Sequence, residues 1–195
     1  MSEVSLKCRC GEVEGAIVDL APGRFNRLVC YCDDCQAFAR WLSRDGAPSI
    51  TNDRGGTDVF QVWPSHVRIT RGRDKLRIVR LREGGLFRWY TECCSTPAGN
   101  MLPSPGSPFV GIPVAFVPAV DTIGPPVGAI QGRFAKGGCP EGAHPSVSAG
   151  VLATSAWFLV RGVALRKAKG SPYFADGRPL VAPRVLTVAE RDALR

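Results

Sequence analysis

Seven of the eight cysteines of this chain come in tight groups. Cys8-Arg9-Cys10 and Cys30-Tyr31-Cys32-Asp33-Asp34-Cys35 fall in the first third, and Cys93-Cys94 follow. A C-x-C pair, a C-x-C-x-x-C triplet and a later adjacent pair form the spacing of a metal-binding framework. Thiolates held this close suit a soft or borderline cation such as zinc. Disulfides between such near neighbours are geometrically awkward. A fold for this chain must therefore bring sulfurs from distant segments together around bound cations.

With 195 residues the chain can bury one domain, or a domain plus an appendage. Its hydrophobic content of 45% and near-zero mean hydropathy exclude a disordered chain. The net charge of +8 favours anionic partners: nucleic acid, an acidic peptide or a small anionic thiol. The first seven residues, Met1 to Lys7, lack the apolar core of a secretory signal. Val151 to Leu165 is mostly apolar but is interrupted by Thr154, Ser155, Arg161 and Gly162. It is also shorter than the about 20 residues that a bilayer span needs. It is expected to be buried within the protein, with no membrane partner. A cytoplasmic address is expected, where thiols stay reduced and bind metal more often than they pair.

The chain reads as mainly β. Gly11 to Leu20 and Arg24 to Cys32 read as strands about a turn at Ala21-Pro22-Gly23, and Gln36 to Leu42 as one or two helical turns, broken at Gly46-Ala47-Pro48. Short strands are expected at Asp58 to Trp63, His66 to Thr70, Lys75 to Leu81, Leu86 to Thr91 and Phe109 to Val117, where β-branched and aromatic residues dominate. Arg71 to Asp74 and Glu83 to Gly85 look like hairpin turns. Gly124 to Gly142 reads as a hinge. A long helix is expected from Ser146 to Lys169, closed by Gly170 and Pro172, and Thr187-Val188-Ala189-Glu190 has the pattern of a capping box. The expected organisation is a zinc-stabilised domain of small antiparallel sheets over 4–120. A C-terminal extension over 121–195 carries the long helix and packs on the same domain.

Residues two apart in a strand point the same way, so Cys8 and Cys10 could present both sulfurs to one ion. Gly11 permits a tight turn beside them. This pair fills half a tetrahedral site, and Cys93 and Cys94 are available to complete it. Cys30 and Cys32 share a face in the same way, and Cys35 returns after Asp33-Asp34. Three converging thiolates leave a replaceable position and Lewis acidity on the ion, though a purely structural site fits the same residues. Their negative charge calls for basic residues nearby. Asp33 could orient a ligand or accept a proton, whereas Asp34 suits a helix N-terminus. Cys139 stands alone and reads as a free cysteine. His66 reads as a surface or hydrogen-bonded residue. Trp41, Trp63, Trp89 and Trp157 are expected in the core.

The order C-x-C-G, C-x-C-x-x-C and a final cysteine pair, spread over Val4 to Val117, resembles the glutathione-dependent formaldehyde-activating enzyme family, which includes centromere protein V. The resemblance implies a β-tent of small sheets folded around zinc. It implies a carbon–sulfur lyase activity that adds glutathione to formaldehyde, giving S-hydroxymethylglutathione. It also implies a structural zinc on Cys8, Cys10 and the final pair, and a catalytic zinc on Cys30, Cys32 and Cys35. No catalytic residue is assigned beyond these ligands. One or two zinc ions are expected, with glutathione as the small anionic thiol. One departure stands out: the family's C-x-x-C-G reads here as Thr91-Glu92-Cys93-Cys94-Ser95, so Thr91 occupies a cysteine position. Cys94 is then the third structural ligand. Cys93 is either the fourth or faces the triplet and closes it. The alternative is a non-catalytic zinc-stabilised module that binds a protein or nucleic acid through Arg68, Arg71, Arg73, Lys75, Arg77, Arg80, Arg82 and Arg88. No stacking motif or recognition helix accompanies these residues, so nucleic acid is not expected.

Overall fold

In the first strand apolar and polar residues alternate cleanly: Val4 and Leu6 are buried while Glu3, Ser5 and Lys7 face solvent. The computed structural model describes residues 2–20 and 25–195. The turn expected at Ala21-Pro22-Gly23, like Arg24, lies outside the described residues. Strand β1 (Ser2–Lys7) pairs antiparallel with β2 (Glu14–Leu20), with Val4 opposite Ile17. Chain order continues with β3 (Phe25–Cys30), helix α1 (Asp33–Ser43), β4 (Thr57–Val62), β5 (Val67–Arg71), β6 (Leu76–Arg80), β7 (Phe87–Thr91), β8 (Pro97–Met101) and β9 (Val110–Pro113). It ends with β10 (Ala129–Ile130), α2 (Ala149–Ala164), β11 (Phe174–Ala175), β12 (Arg178–Pro179), β13 (Arg184–Val185) and α3 (Val188–Asp192).

The fold is mainly β, with antiparallel pairing through most of two sheets. A three-stranded sheet runs β1-β2-β5, and an eight-stranded sheet runs β10-β3-β4-β9-β8-β7-β6-β13. The short end strands of the larger sheet, β10 and β13, pair parallel with β3 and β6. Residues beyond 120 thus complete the main sheet. Segment 124–142, expected as a hinge, is instead stitched to β3: Val127 N–H donates to Arg27 O at 2.7 Å and Tyr31 N–H to Ile130 O at 3.1 Å.

Alternation along β6 divides the interior. Ile78 enters a core with Leu6, Ile17, Phe60, Trp89 and Ile112, while Val79 faces a smaller cluster built by Ala37, Phe38, Trp41 and Leu42 of α1. These α1 positions recur at helical spacing, so one face of the helix is buried on the sheet. Trp41 meets Tyr90 edge-on at 4.7 Å, and the Arg44 guanidinium lies 3.8 Å from its ring centre. Burying one such large side chain contributes about 1.5–3 kcal/mol. The helix is longer than the one or two turns expected, because Cys32 caps it and both aspartates join its first turn.

Three other expectations need correction. Arg71 to Asp74 does not close a hairpin, since β5 belongs to the small sheet and β6 to the large one. Gly72, at φ +70, turns the chain between them, and a Cβ there would meet Glu12 O at 2.3 Å. Strand β8, Pro97-Ala98-Gly99-Asn100-Met101, has little strand propensity yet is wholly buried. The α2 segment is not buried: only Val151, Phe158 and Gly162 are covered. Trp157 is 62% exposed, unlike Trp41, Trp63 and Trp89, which lie in the core. The capping box at Thr187 and Glu190 forms as the sequence indicates.

Candidate metal centres

Cys8 and Cys10 lie just past the end of β1, so a turn rather than a shared strand face brings them together. Cys8 N–H donates to Val13 O and Gly11 N–H to Cys8 O, each at 2.9 Å, with Gly11 at φ +78. A second turn follows β7, where Ser95 N–H donates to Thr91 O at 2.8 Å and Thr91 N–H to Thr96 O at 2.9 Å. Ser95, in the place of the resembled family's glycine, adopts φ 53, a conformation that favours glycine. These two turns meet. The sulfurs of Cys8, Cys10, Cys93 and Cys94 all lie within 4.8 Å of one another. The separations include Cys8–Cys10 at 3.5 Å, Cys10–Cys93 at 3.3 Å, and Cys8–Cys93 and Cys93–Cys94 at 3.9 Å. Zn–S bonds of about 2.3 Å place tetrahedral ligands about 3.8 Å apart, so this quartet fits a four-thiolate ion.

Thr91 has a different role from the cysteine expected there. Its hydroxyl lies 3.4 Å from Cys94 Sγ, and that of Thr96 lies 3.1 Å away. Burial pushes the Cys94 thiol up, but hydrogen bonds from Thr91, Thr96 and Cys10 outweigh it and pull the pKa down to about 5. Burial raises Cys93 above the ordinary thiol range, and it raises Cys8 against the opposing Val13 N–H. That amide donates to Cys8 Sγ at 3.2 Å. Arg9 hydrogen-bonds Cys94 O and Pro48 O, laying its guanidinium across the turn.

The triplet is built differently. Cys30 ends β3, Cys32 is the extended N-cap of α1, and Cys35 sits in the first helical turn. Both Cys35 N–H and Gln36 N–H donate to Cys32 O, at 3.0 and 3.1 Å. This strand-to-helix turn, not a common strand face, converges the sulfurs to within 4.8 Å of one another. Among the described residues no fourth His, Cys, Asp or Glu joins them, because Cys93 lies in the quartet. Hydrogen bonds from Cys30 and then Cys32, with the Arg88 charge behind them, hold Cys35 well below the usual thiol range. Donation to Cys32 and Cys35, with burial, drives Cys30 far up. Cys32 accepts from Cys30, which lowers it, yet the neighbouring Cys35 and burial push the Cys32 thiol up to about 11.

Arg88 sits in sequence among the arginines of a basic surface, yet it is 3% exposed. Its strand alternates, so Phe87 and Trp89 enter the main core while Arg88 points to the α1 side. There it lies 5.3 Å over the Phe38 ring and 3.4 Å from Asn100 Oδ1. It is the basic group that a thiolate-rich site needs. The available signal was a cation placed between two core aromatics on a strand. Most of the other hairpin cations are held by carboxylates: Arg71 by Glu14, Lys75 by Glu12, Arg77 by Glu92 and Arg80 by Glu83.

A cavity of about 330 Å³ opens beside the triplet's helix, lined by Asp33, Gln36, Arg40, Phe134, Lys136 and Arg195. Gln36 fixes one wall by donating to Tyr31 O and Phe134 O, both at 2.8 Å. Asp34 approaches Arg195 at 3.6 Å, while Asp33 is exposed at the rim. Cys139 is exposed and hydrogen-bonds the nearby Ala143 O at 3.4 Å, and among the described residues it joins neither cluster. His66 is buried against Lys167 Nζ at 3.2 Å.

A protein-family model described as a family of unknown function, DUF6151, matches residues 1–183. No curated protein matches the chain. A Rhodobacter sphaeroides protein of known crystal structure is similar at 22% identity and a TM-score of 0.41, over 62% of this chain and 95% of that one.

Proposed function

The chain belongs to DUF6151, a family of unknown function, and we propose that it is a two-zinc protein with a structural site at the quartet and a reactive site at the triplet. In this reading Cys8, Cys10, Cys93 and Cys94 hold one ion, and Cys30, Cys32 and Cys35 hold the other. The carrying observation is the inequality of the clusters: four sulfurs close one site, while three, among the described residues, leave the other a free corner. When bound there, zinc would supply Lewis acidity and a replaceable position that lowers a thiol's pKa.

The substrate proposed is a small anionic thiol, with glutathione the candidate that the resemblance suggests, and an aldehyde such as formaldehyde. The reaction is addition, with no net change in oxidation state. The thiol's S–H bond breaks and its proton leaves to solvent, and the sulfur lone pair bonds to the aldehyde carbon. The C=O π pair moves to oxygen, and oxygen takes a proton back from solvent to give the S-hydroxymethyl adduct. Arg88 offsets the negative charge of the thiolates from beneath. Arg40, Lys136 and Arg195 line the adjacent cavity and suit the carboxylates of such a thiol. Gln36 ties that wall to Tyr31 O and Phe134 O. The thiol chemistry fits a reducing compartment such as the cytoplasm.

Metal analysis of the purified, reduced protein tests this reading. Two zinc ions per chain are expected. After cobalt substitution, glutathione should perturb the absorption of one ion only. Formation of the hydroxymethyl thioether from formaldehyde and glutathione, followed by NMR, should exceed the uncatalysed rate. A single ion indifferent to thiols, with no acceleration, would leave a zinc-stabilised module and end the enzymatic reading.

A further inference from the structure

Helix α2 is apolar on the side it turns to solvent. Its inner stripe is narrow: Phe158 stacks on Trp63 at 5.2 Å, and Trp63 Nε1–H donates to Phe158 O at 3.2 Å. Gly162 sits so close that a Cβ would meet Pro108 and Trp63 at 2.8 Å. The outer side carries Leu152, Trp157, Val160 and Val163, each 60% exposed or more, and Leu165 just beyond at 54%. Thr154, the polar residue of that side, turns its hydroxyl onto Gly150 O at 2.8 Å. The ridge therefore offers almost no hydrogen-bonding group. A helix apolar on both its inner and outer sides is complete only when something apolar covers it.

Charge identifies what covers it. Residues 142–175 contain no Asp or Glu but do contain Arg161, Arg166, Lys167 and Lys169. Where α2 ends, Arg68, Arg73 and Lys169 line an open cavity of about 380 Å³. Arg68 and Arg73 donate to backbone carbonyls there, of Ser65 and Val67 and of Pro172 and Phe174. Among the described residues these three cations and Arg166 meet no carboxylate, while their neighbours Arg71 and Lys75 do. A second copy docking through α2 would bring like charges together with no acid on either helix to answer them. A protein interface would also use a hydrogen bond for every 100–200 Å² or so, which this ridge cannot supply. A surface that is apolar inside and negative at its rim satisfies both features.

We infer that α2 seats the protein on an anionic lipid surface, with the Leu152–Val163 ridge in the acyl boundary and Arg68, Arg73, Arg166 and Lys169 on the headgroups. This proposal departs from the expectation of no membrane partner. The contact is peripheral, since among the described residues no helix is long and apolar enough to cross a membrane. It does not depend on the metal chemistry proposed above.

Flotation of the full, zinc-loaded chain with vesicles tests it. Vesicles of phosphatidylcholine and phosphatidylglycerol in equal parts should carry the protein, and pure phosphatidylcholine should not. Tryptophan emission should shift to the blue on binding, reporting Trp157 because the other tryptophans are already buried. Val160→Glu should abolish flotation. Arg68→Gln and Lys169→Gln should each weaken it about fivefold. Should a ridge variant fail to fold, quenching of wild-type emission by brominated phosphatidylglycerol serves in its place. Equal flotation with both vesicles, or none, overturns the inference. So does wild-type binding by folded Val160→Glu. Self-association through α2, or binding to polyglutamate without vesicles, would assign the ridge to a second copy or to an acidic protein instead.

Discussion

The quartet and the triplet use the same side chain in opposite ways. The quartet joins turns 83 residues apart, from Cys10 to Cys93, and Cys8, Cys93 and Cys94 pack with the main core while Cys10 is exposed. The triplet draws on six consecutive residues at one strand-to-helix junction and ties no distant segments together. Closing a long loop constrains the unfolded chain, whereas closing a short one constrains it little. Their electrostatics differ as well. The quartet is tuned by the hydroxyls of Thr91 and Thr96, and the triplet by the buried guanidinium of Arg88, while the helix that carries Cys35 borders a cavity lined by Arg40, Lys136 and Arg195. Distance along the chain suits a metal to holding a fold. A local cluster with a free corner suits it to chemistry.

The sharpest way to break this contrast is to remove one ligand from each cluster. Cys10→Ser should abolish cooperative folding. A structural zinc site contributes on the order of 10 kcal/mol, as much as the whole stability of an ordinary domain. An unchanged melting temperature in the zinc-loaded variant would remove the quartet from its structural role. Cys32→Ser should eliminate aldehyde–thiol addition while shifting the melting temperature by only a few degrees. General unfolding of that variant, monitored by circular dichroism, would make the two clusters equivalent.

Arg88→Met sharpens the comparison without touching a ligand. The substitution keeps the packing against Phe38 but removes the charge facing Cys35. Groups that orient and balance metal ligands are typically worth about 10–100-fold in affinity. In a chelator titration the triplet's ion should therefore be lost earlier than in the wild type, with the quartet's ion unmoved. Equal loss from both sites would show that Arg88 acts on the fold as a whole.

Much of this was legible because cysteine spacing is a strong signal. The sequence named all seven clustered sulfurs, most strands and the Thr187 capping box. It misread the local geometry that converges them, since a C-x-C pair looks the same in a strand and in the turns actually used. It could not decide where Cys93 points, because adjacent residues oppose each other only while the strand continues, and β7 stops at Thr91. Strand β8 was missed because Pro97, Gly99 and Asn100 are poor strand formers, and tertiary packing overrides that preference. Arg88 was hidden because a buried cation and a surface cation are the same letter. The α2 segment was misjudged for a related reason. Hydropathy marks a segment as needing cover, but does not say whether the same chain provides it.

The smallest effect expected is on the quartet's side of the molecule. Tyr173 is fully buried and donates its hydroxyl to Ala98 O at 2.6 Å, on the strand that follows the Cys93–Cys94 turn. Tyr173→Phe should cost about 1 kcal/mol, the usual net value of one hydrogen bond, and leave addition activity intact. Burial also raises the folded phenol's pKa well above its ordinary value of 10.0. The neutral phenol's contribution is therefore fully present below that value. It declines as pH rises past it, because the unfolded chain then ionises while the folded one does not, at up to about 1.4 kcal/mol per pH unit. The phenylalanine variant lacks this decline. Its deficit in denaturant melts should be steady between pH 6 and 9, by the same linkage, and should narrow above about pH 10. A gap that fails to narrow above about pH 10 would mean that Tyr173 reaches solvent in the folded protein, and that β8 is held to the quartet less firmly than its burial implies.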